Sequence, residues 1–169
     1  LIIPEINGSV IKTDPPKLIS SPNCTTVVLA MPLAPLLRHS PIRRVVAASY
    51  QAASGAGREA RDGFLEETKA LAAGKTKNTG HFPHPLAGNV FPHIGNFSES
   101  GFSEEEEKVM AETKKILGLA DLAISATCVR VPVIRGHSLA IWVEMEKPIP
   151  AKPLTEFYSG FPGIVLEHP

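Results

Sequence analysis

The sequence predicts an α+β fold, a mixed or antiparallel sheet with helices on one face, and three observations point there. At 169 residues and 43% apolar, the chain suffices for one domain with its own core. Its 16 prolines leave two long windows clear, 42–82 and 93–131, where regular elements can run. Segments with helical spacing are interleaved with neighbouring segments of period two, the order that places helices against a sheet.

Residues 1–22 are rich in Pro and Ser and read as an extended lead-in. The opening Leu1-Ile2-Ile3-Pro4 looks like the end of a strand, as though the chain were cut from something longer. Asn23 is a good N-cap. The stretch 25–37 is apolar on every side, which predicts a buried helix bent or broken at Pro32. Val- and Ala-rich 42–51 is a strand, 54–57 a tight turn, and 58–73 a helix that stops at Gly74. A long loop covers 75–100. The helix 103–117 has the clearest signals: Ser103 with Glu106 forms a capping box, acids fill the first turn, and Lys114-Lys115 fill the last. The segments 122–131 and 138–146 alternate as strands, with Gly136 between them.

Composition excludes several classes. Lys+Arg and Asp+Glu both total 17, so the broad basic footprint of a nucleic-acid binder is missing. No apolar run reaches the roughly 18–20 residues that span a bilayer. No export signal opens the chain. Two cysteines are too few for a disulfide framework, and the simplest compartment is the cytoplasm.

Several residues can carry chemistry. Cys24 lies in the first turn of a helix, where the dipole and free N–H groups favour a thiolate; a small buried Cys beside a cap is the plainer reading. The turn Ser54-Gly55-Ala56-Gly57, between strand and helix, lets a ligand approach the backbone, or is an ordinary turn. It lacks the G-x-G-x-x-G dinucleotide spacing. On the 103–117 helix, Val109, Thr113, Ile116 and Leu117 define the inward arc. Glu105 and Lys108 border it three residues apart, able to reach the edge of a cleft. Arg130 ends a row with Leu122, Ile124, Ala126 and Cys128, and a buried guanidinium there needs an anionic partner in the protein or in a substrate. His137, just past Gly136, is either a structural His or an acid/base group. His81, His84 and His93 match a zinc-like spacing only weakly, since no Cys or acid stands at ligand spacing in that loop; no metal site is assigned.

Taken in order, Pro4-Glu5-Ile6-Asn7, Pro22-Asn23-Cys24-Thr25-Thr26, Tyr50-Gln51-Ala52-Ala53-Ser54-Gly55-Ala56-Gly57, Asn89-Val90-Phe91-Pro92-His93-Ile94, Glu105-Glu106-Glu107-Lys108, Glu112-Thr113-Lys114-Lys115-Ile116 and Arg130-Val131-Pro132-Val133-Ile134-Arg135-Gly136-His137 resemble the bacterial and plant type of aspartate-semialdehyde dehydrogenase. The resemblance runs the length of the chain. It implies a catalytic and dimerisation domain over 23–169, related to the C-terminal domain of glyceraldehyde-3-phosphate dehydrogenase. Residues 1–22 would lead in from an NADP-binding domain that this chain lacks, along with the family's closing segment.

The resemblance also implies a reaction: L-4-aspartyl phosphate and NADPH give aspartate semialdehyde, phosphate and NADP, on the route to lysine, threonine and methionine. Cys24 would be the nucleophile, His137 the general acid/base, and Gln51 the orienting group. Arg130 would bind the substrate carboxylate, Glu105 its ammonium, and Asn23 and Lys108 the phosphate. Ser54, Gly55 and Gly57 would lie near the nicotinamide. The partner would be a second copy of the chain, and the setting cytoplasmic, or plastid in a plant. Two other readings stay open. One is an isolated, catalytically incomplete dimerisation domain. The other is a related acyl-phosphate reductase such as N-acetyl-glutamyl-phosphate reductase, whose Cys motif usually reads Gly-Cys-Tyr where this chain has Asn-Cys-Thr.

Overall fold

Strand β1 (Ile42–Gln51) lies at the centre of a three-stranded mixed sheet, between β2 (Ala123–Arg130) and β3 (His137–Met145). The computed structural model describes residues 1–13, 15 and 17–167. They fall into two compact units. One holds 1–47, 108–125 and 141–169, the other 48–107 and 126–140, and each strand contributes residues to both. Among the described residues, no helix is long and apolar enough to cross a membrane.

The first unit contains helices α1 (Pro4–Asn7), α2 (Ser9–Thr13), α3 (Cys24–Leu37) and α6 (Ala151–Ser159). The extended lead-in is corrected here, because 4–7 and 9–13 are helical. Pro4 opens a helix instead of closing a strand; its fixed φ suits the first helical position, where no N–H is needed. Asn7 Oδ1 then accepts from the Ile3 amide at 2.8 Å. Asp14 and Pro16 of that segment lie outside the described residues. Of the bend or break expected at Pro32, the break does not occur: α3 continues through Pro32 and Pro35 to Leu37. An interior proline costs about 3 kcal/mol. Leu29, Leu33 and Leu36 are buried on this helix, and each buried leucine contributes about 1.5–3 kcal/mol, enough to hold the helix together. Ile3, Ala30 and Ile116 form the unit's core with Val27 and Met31 beside them. Helix α6 covers residues for which no element is expected from the sequence. Its Tyr158 hydroxyl donates to the Pro32 carbonyl at 3.0 Å.

In the second unit, a 3-10 turn (Ala53–Ala56) follows β1 and leads into α4 (Arg58–Ala72). Gly57, at φ 98°, separates them, and Gly74, at φ 69°, follows α4 as anticipated. Helix α5 (Glu104–Leu117), with 104–107 in this unit and 108–117 in the first, begins on the capping box read from the sequence: Glu106 Oε2 accepts from the Ser103 amide at 2.8 Å, and the Glu106 amide donates to Ser103 Oγ at 3.4 Å. Glu106 also reaches sideways, because its Oε1 accepts from the Cys128 amide of β2 at 2.9 Å. One buried carboxylate therefore starts a helix and ties it to a strand.

A second buried carboxylate organises the long loop. The inward face of α4 carries Ala60, Gly63, Phe64 and Glu67. Glu67 accepts from the Thr79 amide and hydroxyl through Oε1, and from the Leu86 and Ala87 amides through Oε2, at 2.7–3.3 Å. Leu86 packs with Ala53, Phe64 and Phe91 in this unit's core, with Phe82 and Ala87 against it. Burial alone would raise the Glu67 carboxyl, but these donors outweigh it and hold the group below its ordinary value.

Glu67→Gln is predicted to destabilise the chain by about 1–3 kcal/mol at pH 7, since a carboxamide turns an N–H₂ toward backbone donors. Because the folded carboxyl is depressed, its contribution is present above the unfolded carboxylate range and lost as pH falls through the folded value. Urea unfolding at pH 7 and pH 3 checks this: the gap between the two proteins should narrow at the lower pH. A gap independent of pH would contradict the role of the charge.

Candidate active site

The second unit gathers most of the predicted residues around one peptide. Gln51 ends β1 and is 2% exposed. Its Nε2 donates to Ser49 Oγ at 3.2 Å and to Glu105 Oε1 at 3.1 Å. The reach of Glu105 from its helix face is thus as the spacing suggested. The next residue, Ala52, is fully buried. Its amide donates to His137 Nδ1 at 3.1 Å, while its carbonyl accepts from Arg130 Nη1 at 2.7 Å. An imidazole that accepts at Nδ1 carries its neutral-form proton on Nε2.

Arg130 ends β2, 5% exposed. Its backbone pairs with Phe91 in both directions, at 2.8 and 3.2 Å. Its guanidinium lies over the Phe82 ring, 5.5 Å from the centroid, a cation–π arrangement. Phe82 itself sits beside Phe91, ring centroids 6.2 Å apart. Nothing in the residue pattern marked Phe82 in advance, because it lies in a loop without periodicity.

The glycine turn is shaped to these neighbours. A Cβ on Gly55 would stand 2.9 Å from His137 Cε1 and Nε2 and 3.3 Å from Arg130 Nη1. A side chain there would push into both groups. Gly57 has nothing within 4 Å of the corresponding point, so the turn is open at that end. The Ala53 and Ser54 amides donate to the Val133 and Ile134 carbonyls at 2.8 and 3.1 Å, which holds the turn to the segment before His137.

Three predicted residues, Asn23, Cys24 and Lys108, belong to the first unit. Asn23 caps α3, its Oδ1 accepting from the Thr25 and Thr26 amides at 2.8 and 3.2 Å. Cys24 is the first helical residue and is exposed. Cys128 is the opposite kind of thiol, 1% exposed and pushed up to about 11. Burial is the main cause, and the nearby Glu105 and Glu106 charges add to it. Lys108 is exposed, one turn beyond Glu105 on α5, and makes no ion pair among the described residues.

Among the described residues, no cluster of three or more His, Cys, Asp or Glu could hold a metal ion. Two of the three loop histidines lie beside aromatic rings, His84 by Phe91 and His93 by Phe97, with centroids 5.7 and 5.1 Å apart.

Known proteins match this chain in both sequence and fold. A family model described as semialdehyde dehydrogenase, dimerisation domain, matches residues 33–169. The aspartate-semialdehyde dehydrogenase of Prochlorococcus marinus is 42% identical over 166 residues, which is 98% of this chain and 48% of that protein. An aspartate semialdehyde dehydrogenase II from Vibrio cholerae, solved in complex with ASA, superposes with a TM-score of 0.89 at 32% identity, over 96% of this chain and 48% of that one. The Candida albicans aspartate semialdehyde dehydrogenase, solved with NADP, superposes with a TM-score of 0.61 at 26% identity, over 94% and 40% respectively. The chain spans about half the length of the curated relatives it matches. With most of its residues under the family model and its fold shared with these enzymes, the chain belongs to the semialdehyde dehydrogenase dimerisation-domain family.

Proposed function

We propose that this chain is the catalytic and dimerisation part of an NADP-dependent aspartate-semialdehyde dehydrogenase, reducing L-4-aspartyl phosphate to L-aspartate 4-semialdehyde with release of phosphate. The observation that carries the reading is the contrast between the two thiols. Cys24 is exposed at the first position of a capped helix, where the dipole favours negative charge. Cys128 is buried and held protonated.

In this reading the Cys24 thiolate attacks the acyl carbon, the C–O bond to phosphate breaks, and a thioester remains on sulfur. NADPH, when bound, supplies the hydride that takes the thioester to a thiohemiacetal. Collapse of that species gives back the thiol and releases the aldehyde. His137 donates and accepts protons through Nε2, its Nδ1 being engaged by the Ala52 amide. Gln51, braced between Ser49 and Glu105, orients the acyl group. Arg130 offers its planar fork to the substrate carboxylate, and Glu105 meets the ammonium. Asn23 and Lys108 hold the phosphate. Ser54, Gly55 and Gly57 are assigned to the nicotinamide: the turn is exposed from Gly55 to Gly57, and at Gly57 nothing stands within 4 Å of a Cβ position to keep a flat ring off the backbone. The rest of the cofactor's site would lie in the part of the relatives that this chain does not match.

The proposed partner is a second copy of the chain. Trp142 of β3 is 55% exposed. It borders an apolar groove of about 510 Å³ lined also by Leu36, Val143, Met145, Leu154 and Tyr158. Exposed aromatic surface of this kind is enriched in the buried centres of interfaces.

Two measurements check the proposal. Iodoacetamide at pH 7.5, read by peptide mass spectrometry, should label Cys24 at least tenfold faster than Cys128; preferential labelling of Cys128 in the folded chain would falsify the assignment. Light scattering at micromolar concentration should give a dimer mass, reduced toward monomer by Trp142→Glu. A monomer in the unaltered chain overturns the homodimer, and an unaffected Trp142→Glu dimer places the interface elsewhere.

A further inference from the structure

The Asn23 cap has a second anchor outside its own helix. In an ordinary capping box, the residue at the third helical position returns a Glu or Gln side chain to the N–H of the cap residue. In α3 that position is Thr26, which lacks such an arm. Its hydroxyl has no hydrogen-bond partner among the described residues. The acceptor comes from α5 instead: the Asn23 amide donates to Glu112 Oε2 at 2.7 Å, across 89 residues of sequence. Glu112 is half-buried, next to the fully buried Thr113. Both residues lie in the motif Glu112-Thr113-Lys114-Lys115-Ile116, which the reaction itself leaves without a role.

The consequence falls on Cys24. Asn23 is gripped on both sides: its side chain holds the Thr25 and Thr26 amides, and its own amide is held by Glu112. Pro22 before it is buried and restricted in φ. The backbone from Pro22 to Thr26 is thereby pinned at several points, and Cys24 lies at its centre. Displacement of the first turn would move the sulfur relative to the helix dipole that favours its thiolate. We propose that Glu112 is a positioning residue for Cys24, completing the cap of α3 from α5 and holding the thiol in place. The proposal rests on Cys24 being the reactive thiol of the function above, but it is read on that sulfur directly and not through turnover.

The test compares Glu112→Gln with Glu112→Ala in this chain. Both remove the carboxylate charge, and only Gln keeps an acceptor oxygen, so their difference isolates the hydrogen bond. Iodoacetamide labelling of Cys24 at pH 7.5 is expected to be at least threefold slower in Glu112→Ala than in Glu112→Gln. Buried Cys128 should stay unlabelled in both, which separates local positioning from general loosening. Equal Cys24 rates in the two variants, or a rise in Cys128 labelling that parallels the change at Cys24, overturns the proposal. Should Glu112→Ala fail to fold, amide hydrogen exchange on the unaltered chain decides: an Asn23 amide protected at least tenfold supports the clamp, and exchange at the unstructured rate overturns it. Failure of the functional reading looks different, since Cys24 would then react no faster than Cys128 in the unaltered chain.

Discussion

One buried peptide carries the arrangement of the second unit. Ala52 gives its amide to the imidazole of His137 and its carbonyl to the guanidinium of Arg130. A single backbone residue thus sets the tautomer of one side chain and the direction of the other. This works only because the chain turns sharply after β1 and the turn is bare. A methyl group on Gly55 would meet both side chains. The imidazole and the guanidinium are consequently fixed by main-chain atoms, which cannot rotate away.

Buried carboxylates support that peptide from a distance. Glu106 joins the start of α5 to β2, two residues before Arg130. Glu67 gathers the loop that carries Phe82 and Phe91, the two rings that flank Arg130 through its side chain and its backbone. Among the described residues neither acid forms an ion pair with a base. Glu106 is satisfied by backbone amides and Glu67 by backbone amides and the Thr79 hydroxyl, which makes a buried carboxylate tolerable. The ion pairs of Arg61 with Asp62 and of Lys77 with Glu66 lie partly or largely exposed, where solvent screens such pairs. The organisation of this unit comes from desolvated acids and not from surface charge.

Much of this was legible in the residues. The strand 42–51, the Ser103–Glu106 box, the Asn23 cap and the row ending at Arg130 all follow from local rules of period and capping, and the structure reproduces them. The misreadings had specific causes. Richness in Pro and Ser predicts an extended lead-in, whereas Pro4 occupies the one helical position that welcomes it. Helix α3 runs unbroken through Pro32 because it buries Leu29, Leu33 and Leu36. Glu67 did leave a signal, an acid on the stripe of Ala60, Gly63 and Phe64, where a solvated residue does not belong. Phe82 beneath Arg130 and Glu112 behind Asn23 left none, since both are contacts between segments far apart in sequence.

The proposed chemistry turns on whether the Cys24 sulfur takes an acyl group from an acyl phosphate. Incubating the chain with L-4-aspartyl phosphate in the absence of a hydride donor, followed by peptide mapping, tests that step apart from reduction. The account predicts an aspartyl thioester on Cys24, removed by hydroxylamine. An unmodified Cys24, or an aspartyl group found on another residue, would contradict it.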